Sequence, residues 1–265
     1  CILARGLNDG RKADCLMRFG RPVSALYDAG LALLYPLECA ACGASSVERR
    51  ADAPACGACW AETRVFSGDE TCCWKCGALA PGDVPPEKRG DVNCRRCAGE
   101  AFTAARSVGL YEGALRASVL ALKREPDVAA RLARLLDSAR CRPPLDTATL
   151  VIPVPLHPER ERERGFNQAT VLSHVIAKSS RLPVNERTLV RAVHTARHRA
   201  GMDARARRET VEGVFEVRLP RVVRDENILL VDDVFTTGAT VSAAAGALKE
   251  AGAREVFVLT VARAI

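Results

Sequence analysis

The chain has 265 residues, of which 48% are hydrophobic and 27% charged, and its formal net charge is +7. This composition is apolar enough for a packed core and excludes an intrinsically disordered chain. No apolar run approaches the ~20 residues of a membrane span, and the first residues lack the apolar stretch of a secretory signal, so we expect a cytoplasmic protein without a membrane span.

The positive charge is concentrated in one segment. Residues 157–208 contain twelve Lys or Arg and five Asp or Glu, and this local balance of +7 equals the excess of the whole chain. Such a segment favours the binding of an anion, either a phosphorylated small molecule or nucleic acid. A solvated helix face with internal charge pairing is the structural alternative.

Twelve cysteines are present, and eight of them form four Cys-x-x-Cys pairs. Without a secretion signal, this number favours metal sites over disulfides. Two such turns supply the four sulfur ligands of a tetrahedral zinc site, which is structural because no coordination position stays open. The spacing leaves open whether one or two zinc ions bind and whether the first pair joins the second or the third. Reduced, buried cysteines without metal are the alternative. The pairs are Cys39/Cys42, Cys56/Cys59, Cys73/Cys76 and Cys94/Cys97.

Composition divides the chain into three parts. A short amphipathic helix is predicted at 23–34, and the cysteine pairs follow it. We therefore expect an N-terminal extension with a short helix (1–35), a double zinc ribbon (36–100) and a third domain (101–265). So short and glycine-rich a ribbon buries too little surface to fold without metal. We expect the ribbon and the third domain to have separate cores.

Strands alternate with helices after the ribbon. Several of the strands are apolar on both faces, which predicts an α/β fold with a parallel sheet covered on two sides. Ligands of such sheets bind at the carboxyl ends of the strands. We predict strands at 106–113, 147–155, 185–190, 211–217, 226–233 and 255–262, helices at 114–123, 126–140, 164–180 and 240–252, and a loop between 155 and 164.

The stretch ILLVDDVFTTGAT, residues 228–240, joins a buried strand to two aspartates and then to small and hydroxylated residues. Buried carboxylates are costly unless a partner binds them, and Asp232 and Asp233 are suited to accept hydrogen bonds from a vicinal diol. The helix that begins near Thr240 offers free amides to a phosphate, and Gly238 lets the backbone approach closely. The pattern indicates a ribose 5-phosphate site. A solvated strand end followed by a turn is the alternative.

Longer segments carry a family resemblance. ILLVDDVFTTGAT resembles the signature of type I phosphoribosyltransferases, which bind phosphoribosyl pyrophosphate (PRPP). IPVPLHPERERERGFNQA, residues 152–169, resembles a segment typical of the ComF family, and LALKREPDVAARLARLL and AGMDARARRETVEGVF fit it more loosely. Members of that family join an N-terminal cysteine ribbon to a phosphoribosyltransferase-like domain. The resemblance, over about residues 25–265, therefore implies a type I phosphoribosyltransferase-like fold for 101–265, preceded by the small zinc ribbon domain.

The resemblance also implies roles for individual residues. Asp232 and Asp233 would hold the ribose hydroxyls, and Mg²⁺ would accompany PRPP, while Zn²⁺ is structural in the ribbon. Residues 199–210 match a mobile loop of the family, and Lys123 matches a family lysine. The 5-phosphate would be held by Thr236, Thr237, Gly238, Ala239 and Thr240, and the pyrophosphate by Arg160 and Arg164 in the loop after the second strand.

Three functions are open at this point. The first is Mg²⁺-assisted transfer of a phosphoribosyl group to an acceptor, for which no catalytic base stands out. The second is single-stranded DNA binding during DNA uptake, with other DNA-uptake proteins as partners, although an aromatic content of 5% provides few stacking platforms. The third is a regulator that senses PRPP, or another phosphorylated ribose, without turnover. We favour a PRPP-binding domain that acts in competence-type DNA metabolism.

Overall fold

The computed structural model describes residues 37–44, 46–191 and 214–264. The helix predicted at 23–34 and the loop matched at 199–210 lie outside these ranges. Within them, every helix is too short or too polar to cross a membrane.

The region predicted as the double zinc ribbon (36–100), called the cysteine-rich module from here on, is built mainly from turns. Gly43 and Gly77 each follow a Cys-x-x-Cys pair, and both have the left-handed backbone that favours glycine, with φ of 66° and 70°. Their amides close the turns by donating to the carbonyls of Cys39 and Cys73, each at 2.8 Å. The described part of the module contains one α-helix, α1 (Gly57–Glu62), and 3-10 turns at Arg50–Asp52, Pro86–Asp91 and Arg95–Cys97.

Strands and helices alternate after the module, as predicted. A 3-10 turn at Leu145–Thr147 precedes the second strand. The elements in chain order are β1 (Ala104–Leu110), α2 (Gly113–Leu122), α3 (Ala130–Arg140), β2 (Leu150–Pro153), α4 (Pro158–Arg164), α5 (Gln168–Ser180), β3 (Leu189–Arg191), β4 (Phe215–Val217), α6 (Pro220–Val223), β5 (Asn227–Phe235), α7 (Ala239–Glu250) and β6 (Glu255–Arg263).

Four of the strands form one parallel sheet in the order β1-β6-β5-β2. Val231 pairs with Pro153 on one side and Leu259 on the other, so the carboxyl ends of the strands meet at one edge, the carboxyl edge. Val184 forms a parallel bridge to Val151 outside β2, and β3 and β4 form a separate antiparallel pair. The predicted parallel α/β sheet is confirmed.

The central strand β5 is buried on both faces. Ile228, Leu229, Leu230 and Val231 are all fully buried, which explains its continuous apolar run. Leu229 and Val231 belong to a core cluster that includes residues of α2, α3 and α5, whereas Ile228 and Leu230 belong to a second cluster with residues of α7. Helices therefore cover the sheet on both sides.

Two local predictions need correction. The predicted loop between 155 and 164 contains the helix α4, whose Pro158 is its first residue and whose N-cap His157 accepts a hydrogen bond from Glu159 N at 3.3 Å. The alternating Glu and Arg of α4 have no apolar periodicity, so pattern analysis misses the helix. In addition, β5 continues past the aspartate pair to Phe235, which pairs with Arg263.

The expectation of separate cores is wrong. Cys39, Cys56 and Trp60 share the first core cluster with Leu115 of α2, and Cys73, Cys76 and Cys97 share the second with residues of α7 and the sheet. The two halves of the module therefore pack on opposite faces of the sheet. The physical reason is that the module is too small to bury its own apolar surface.

The chain between the two halves of the module covers the outer edge of β1. Phe66 N donates to Val108 O at 2.8 Å and Leu110 N donates to Arg64 O at 3.0 Å, in an antiparallel pairing. Gly109 makes this approach possible, because a Cβ there would lie 2.3 Å from Arg64 O and 2.6 Å from Leu115 Cδ1. The edge strand is thus protected from pairing with another chain.

We expect Gly109→Ala to destabilise the whole fold by about 1–3 kcal/mol, because a backbone carbonyl cannot move aside as a flexible side chain can. Gly90→Ala is the matched control, since a Cβ at Gly90 meets nothing within 4 Å. Thermal unfolding monitored by circular dichroism measures the difference. Equal melting temperatures for the two variants would show that the pairing with β1 does not depend on Gly109.

Candidate functional site

The eight paired cysteines form two groups of four. Within each group the sulfur atoms all lie within 4.8 Å of one another. The first pair joins the second and the third joins the fourth, so the alternative pairing is excluded in the structure. Cys72 lies outside both groups. Cluster 1 consists of Cys39, Cys42, Cys56 and Cys59, and cluster 2 of Cys73, Cys76, Cys94 and Cys97.

The sulfur separations fit a tetrahedral metal. Cys39 Sγ and Cys59 Sγ are 3.7 Å apart in cluster 1, and in cluster 2 Cys76 Sγ lies 3.6 Å from Cys94 Sγ. Four sulfurs around zinc at about 2.3 Å are about 3.8 Å apart. Both clusters therefore could hold a metal ion of this kind.

The electrostatics of the clusters also favour a cation. Burial alone would raise the pKa of Cys39 and Cys73, but backbone amides such as Cys56 N (3.2 Å) and Cys94 N (3.3 Å) point at these sulfurs, and such donors lower the pKa of each to about 6. Burial and the neighbouring sulfurs raise the pKa of Cys59 and Cys97. A divalent cation would let all four sulfurs of a cluster ionise.

The predicted diol-binding pair lies near the carboxyl end of β5, where both aspartates are half-buried. Asp233 N donates to Asp232 Oδ1 at 2.8 Å. Burial and the charge of Asp233 raise the pKa of Asp232 to about 7. Lys123, just after α2, places its Nζ 3.7 Å from Asp233 Oδ2. The structure thus brings the lysine of the family resemblance to the aspartate pair.

The predicted phosphate loop follows β5 directly and leads into α7. Thr236, Thr237 and Thr240 are exposed. Gly238 is the N-cap of α7 with φ of 86° and has no capping side chain, and Thr237 Oγ1 accepts a hydrogen bond from Ala239 N at 3.4 Å. A Cβ at Gly238 would lie 2.8 Å from Phe235 Cζ, so glycine lets the loop fold closely over the end of the strand.

The two arginines predicted to face the pyrophosphate lie on α4, after the carboxyl end of β2. Arg160 is exposed and Arg164 half-buried. Within the described ranges, no hydrogen bond or ion pair joins either of them to the aspartate pair. Asn167, in the same segment, caps α5 by accepting from Ala169 N at 3.0 Å, and it donates to Val154 O at 3.0 Å. The structure therefore places the arginines after the carboxyl end of β2, without a hydrogen bond or ion pair to Asp232 or Asp233 among the described residues, and their role stays a prediction.

Sequence reasoning missed Arg263, the last residue of β6. Its guanidinium donates to Cys76 O at 2.6 Å and lies 4.8 Å from the centre of the Phe235 ring. This side chain connects cluster 2 to the residue that precedes the phosphate loop. The available signal is an arginine at the end of a strand whose other residues are mostly apolar.

The chain is similar in sequence to known proteins. The phosphoribosyl transferase domain matches residues 167–264. The DNA utilization protein YhgH of Escherichia coli O157:H7 is 30% identical over 211 residues, which cover 77% of this chain and 88% of that protein. Competence protein F of Haemophilus influenzae is 34% identical over 115 residues, which cover 43% of this chain and 50% of that protein. Competence protein ComFC of Bacillus subtilis is 33% identical over 107 residues, which cover 40% of this chain and 41% of that protein.

The site and these matches agree. The domain match covers β5, the aspartate pair, the phosphate loop and β6, and the match to YhgH extends over most of both chains. Two four-cysteine clusters, a parallel sheet and a phosphoribosyl transferase domain occur together in one chain. This chain therefore belongs to the ComF family of competence and DNA utilization proteins.

Proposed function

We propose that the carboxyl edge of the sheet binds PRPP and that the protein uses this site in DNA uptake or DNA utilization. The observation that carries the proposal is that carboxylates and then a helix N-terminus follow one another at the carboxyl edge of the sheet. A half-buried aspartate pair lies near the carboxyl end of the central strand, and α7 begins six residues after Asp233 with a glycine as its N-cap. A diol site next to a phosphate site is what a ribose 5-phosphate needs.

Each part of the site has one task in this proposal. Asp232 and Asp233 accept hydrogen bonds from the two ribose hydroxyls. The hydroxyls of Thr236, Thr237 and Thr240 and the first amides of α7 donate to the 5-phosphate. Gly238 keeps the loop free of a side chain where the phosphate approaches.

The pyrophosphate would lie between α4 and the end of α2. The guanidinium groups of Arg160 and Arg164 and the ammonium of Lys123 offset its negative charge, and a bound Mg²⁺ would supply further neutralisation. These charges would stabilise pyrophosphate as a leaving group, so transfer to an acceptor is consistent with the site. Binding without transfer, as in a PRPP sensor, uses the same residues.

The DNA role rests on the names of the relatives and on charge. The names of two relatives, competence protein F and the DNA utilization protein YhgH, refer to such a role. The segment 157–208 has a net charge of +7. Residues 157–191 contain seven Lys or Arg and four Asp or Glu, which gives +3, and the other +4 belongs to residues 192–208, which lie outside the described ranges. In α4 every second residue is a Glu, so its arginines form a weaker anion site than their number indicates. We therefore place PRPP before single-stranded DNA as the ligand of this edge.

We further propose that cluster 1 and cluster 2 each hold one structural Zn²⁺. Four sulfur ligands leave no open coordination position, which excludes a catalytic role for either ion. Because five of the eight cysteines lie in the shared core, the ions would stabilise the whole fold; the five are Cys39, Cys56, Cys73, Cys76 and Cys97.

We expect purified protein to carry two zinc equivalents without added metal, and Cys94→Ser to carry about one, because three cysteines bind zinc less tightly than four. The variant should also melt earlier in one cooperative transition, since Cys97 and Cys73 share a core cluster with the sheet. Elemental analysis and calorimetry measure both effects.

Cys72→Ser, outside the clusters, is the control. A separate early transition would contradict the shared core, and one equivalent or less in the wild type would contradict the metal proposal.

We expect Asp233→Asn to lower PRPP affinity about ten- to a hundredfold with little change in melting temperature, because a charge-assisted hydrogen bond contributes about 1.5–3 kcal/mol. Titration calorimetry with PRPP and Mg²⁺ measures the affinity. Asp146→Asn, an exposed carboxylate in the 3-10 turn before β2, is the control. If Asp233→Asn melts early but binds PRPP normally, the pair is structural and the proposed function is wrong.

We expect PRPP affinity to depend on the ionisation of Asp232. Because burial and Asp233 raise its pKa to about 7, the free protein keeps a proton there at lower pH, and the diol needs the ionised acceptor. Affinity should therefore fall about tenfold from about pH 8 to about pH 6. The phosphates of PRPP also titrate, near pH 6.

Asp232→Asn separates these two contributions, since it removes the protein proton and leaves the titration of the ligand. The ratio of wild-type to variant affinity, measured across this range, should decrease on acidification. A constant ratio would show that Asp232 does not bind the diol.

A further inference from the structure

Arg263, the last residue of β6, is buried, with only 8% of its surface exposed. Among the residues that the structure describes, no carboxylate forms an ion pair with it. A buried charge is costly unless hydrogen bonds and a counter-charge compensate it. Its guanidinium donates to Cys76 O at 2.6 Å, so it is held against cluster 2.

A metal ion in cluster 2 would supply the missing counter-charge. One Zn²⁺ with four thiolates carries a net charge of about −2. Arg106 is a second arginine beside this cluster, and it donates to Trp74 O, in the turn between Cys73 and Cys76, at 2.8 Å. The two guanidinium groups carry one positive charge each and together balance the loaded cluster. An empty cluster 2 carries less negative charge and therefore stabilises the buried Arg263 less.

The contact also depends on the shape of the third Cys-x-x-Cys turn. Gly77 N closes this turn by donating to Cys73 O at 2.8 Å. A Cβ at Gly77 would lie 2.6 Å from Ala105 O and 3.3 Å from Arg263 Nη1. The arginine therefore packs against the backbone of the turn, and a metal ion that fixes the turn also fixes the position of Cys76 O.

On its other side, Arg263 packs on the residue that precedes the phosphate loop. Its guanidinium lies 4.8 Å from the centre of the Phe235 ring, and a cation is attracted to the face of a desolvated ring. Phe102 contacts the same ring edge to face, with centroids 5.9 Å apart. A Cβ at Gly238 would lie 2.8 Å from Phe235 Cζ, so the ring sets where the glycine of the loop can lie.

We propose that Arg263 is a positioning residue that ties the shape of the phosphate loop to the metal ion in cluster 2. The proposal rests on the proposed function, because it takes this loop as the site of the 5-phosphate. Phosphate then binds tightly only when cluster 2 is loaded. Cluster 1 packs on the opposite face of the sheet, so its metal ion affects the loop only through the stability of the fold.

Direct electrostatics predicts the opposite sign. Cys94 and Cys97 line the same cavity as Thr236 and Thr237, so the charge of a loaded cluster 2 acts across this cavity on a bound phosphate. Negative charge there opposes an anion, and loss of the metal ion would strengthen phosphate binding if charge alone mattered. Weaker binding on loss of the metal ion therefore distinguishes positioning from charge.

The test compares two cysteine variants of the full chain, purified with zinc. Cys94→Ser removes a ligand of cluster 2 and Cys59→Ser a ligand of cluster 1, and both cysteines are half-buried. Zinc content is measured for each variant, and ribose 5-phosphate is titrated by calorimetry well below both melting temperatures. We expect Cys94→Ser to bind ribose 5-phosphate about tenfold more weakly and Cys59→Ser to bind it as the wild type does.

Arginine variants identify the connection. Arg263→Met removes the guanidinium but keeps a long side chain, and it should also weaken binding about tenfold, whereas Arg263→Lys keeps the charge and should recover part of the affinity. Arg106→Met removes the other arginine beside cluster 2, whose ring contact is with Trp74, and should keep the wild-type affinity. Cys94→Ser combined with Arg263→Met should lose about tenfold rather than about a hundredfold, because both changes act through one contact.

Equal or tighter binding in Cys94→Ser, or additive losses in the double variant, would overturn the proposal. If Cys94→Ser does not fold, the contrast between Arg263→Met and Arg106→Met decides, and equal affinities of these two variants would overturn it.

A second measurement needs no ligand. The NMR signals of the Thr236 and Thr237 methyl groups should shift in Arg263→Met and in Cys94→Ser, because the Phe235 ring moves beside them, and should stay in place in Cys59→Ser. If the wild type does not bind ribose 5-phosphate, the proposed function is wrong. The methyl signals then still decide whether Arg263 ties the loop to cluster 2, and unchanged signals in Arg263→Met would overturn that connection.

Discussion

An edge strand of a sheet must find partners for its outer row of backbone amides and carbonyls, and in this protein the partner of β1 is the cysteine-rich module. Arg64–Phe66 pairs with one end of the strand, and Lys75 O accepts from Ala105 N at 2.7 Å near the other. Gly109 permits the contact because it has no side chain. This pairing fixes where both cysteine clusters lie, because cluster 1 comes directly before Arg64–Phe66 in the chain and cluster 2 directly after it.

The same pairing explains how two cysteine clusters come to serve one core. The chain crosses the edge of β1 between cluster 1 and cluster 2, so the first packs on one face of the sheet and the second on the other. Arginines complete the attachment. Arg131 lies 4.7 Å from the ring centre of Trp60, and Arg106 lies 5.1 Å from that of Trp74 and donates to Trp74 O at 2.8 Å. The module is therefore integrated into the fold.

Sequence reasoning succeeded where a local pattern has one physical meaning. The apolar run of β5 predicted a buried strand, the four Cys-x-x-Cys turns predicted clusters of cysteines, and the stretch 228–240 predicted a strand that leads through a turn into a helix. The structure contains each of these, and ligand binding at 228–240 stays a prediction. Sequence reasoning failed where the determining contact is distant in the chain. The pairing of cysteine turns, the shared core, the role of Gly109 and the position of Arg263 all depend on residues that meet only in the folded chain. In α4, the alternation of Glu and Arg concealed a helix that a proline and an N-cap begin.

The contact between Arg263 and Cys76 joins residues that are 187 positions apart, and Ser107 bonds Thr260 across 153. Since β6 lies between β1 and β5 and follows both along the chain, the sheet cannot close until β6 has been synthesised. Until then the inner edge of β1 lacks its partner strand, and the cysteines of cluster 2 lack the residues of α7 and β6 with which they share a core. Contacts of such long range fold slowly. During translation on the ribosome the emerging chain thus exposes apolar surface and free thiols together, which makes it a natural client of chaperones.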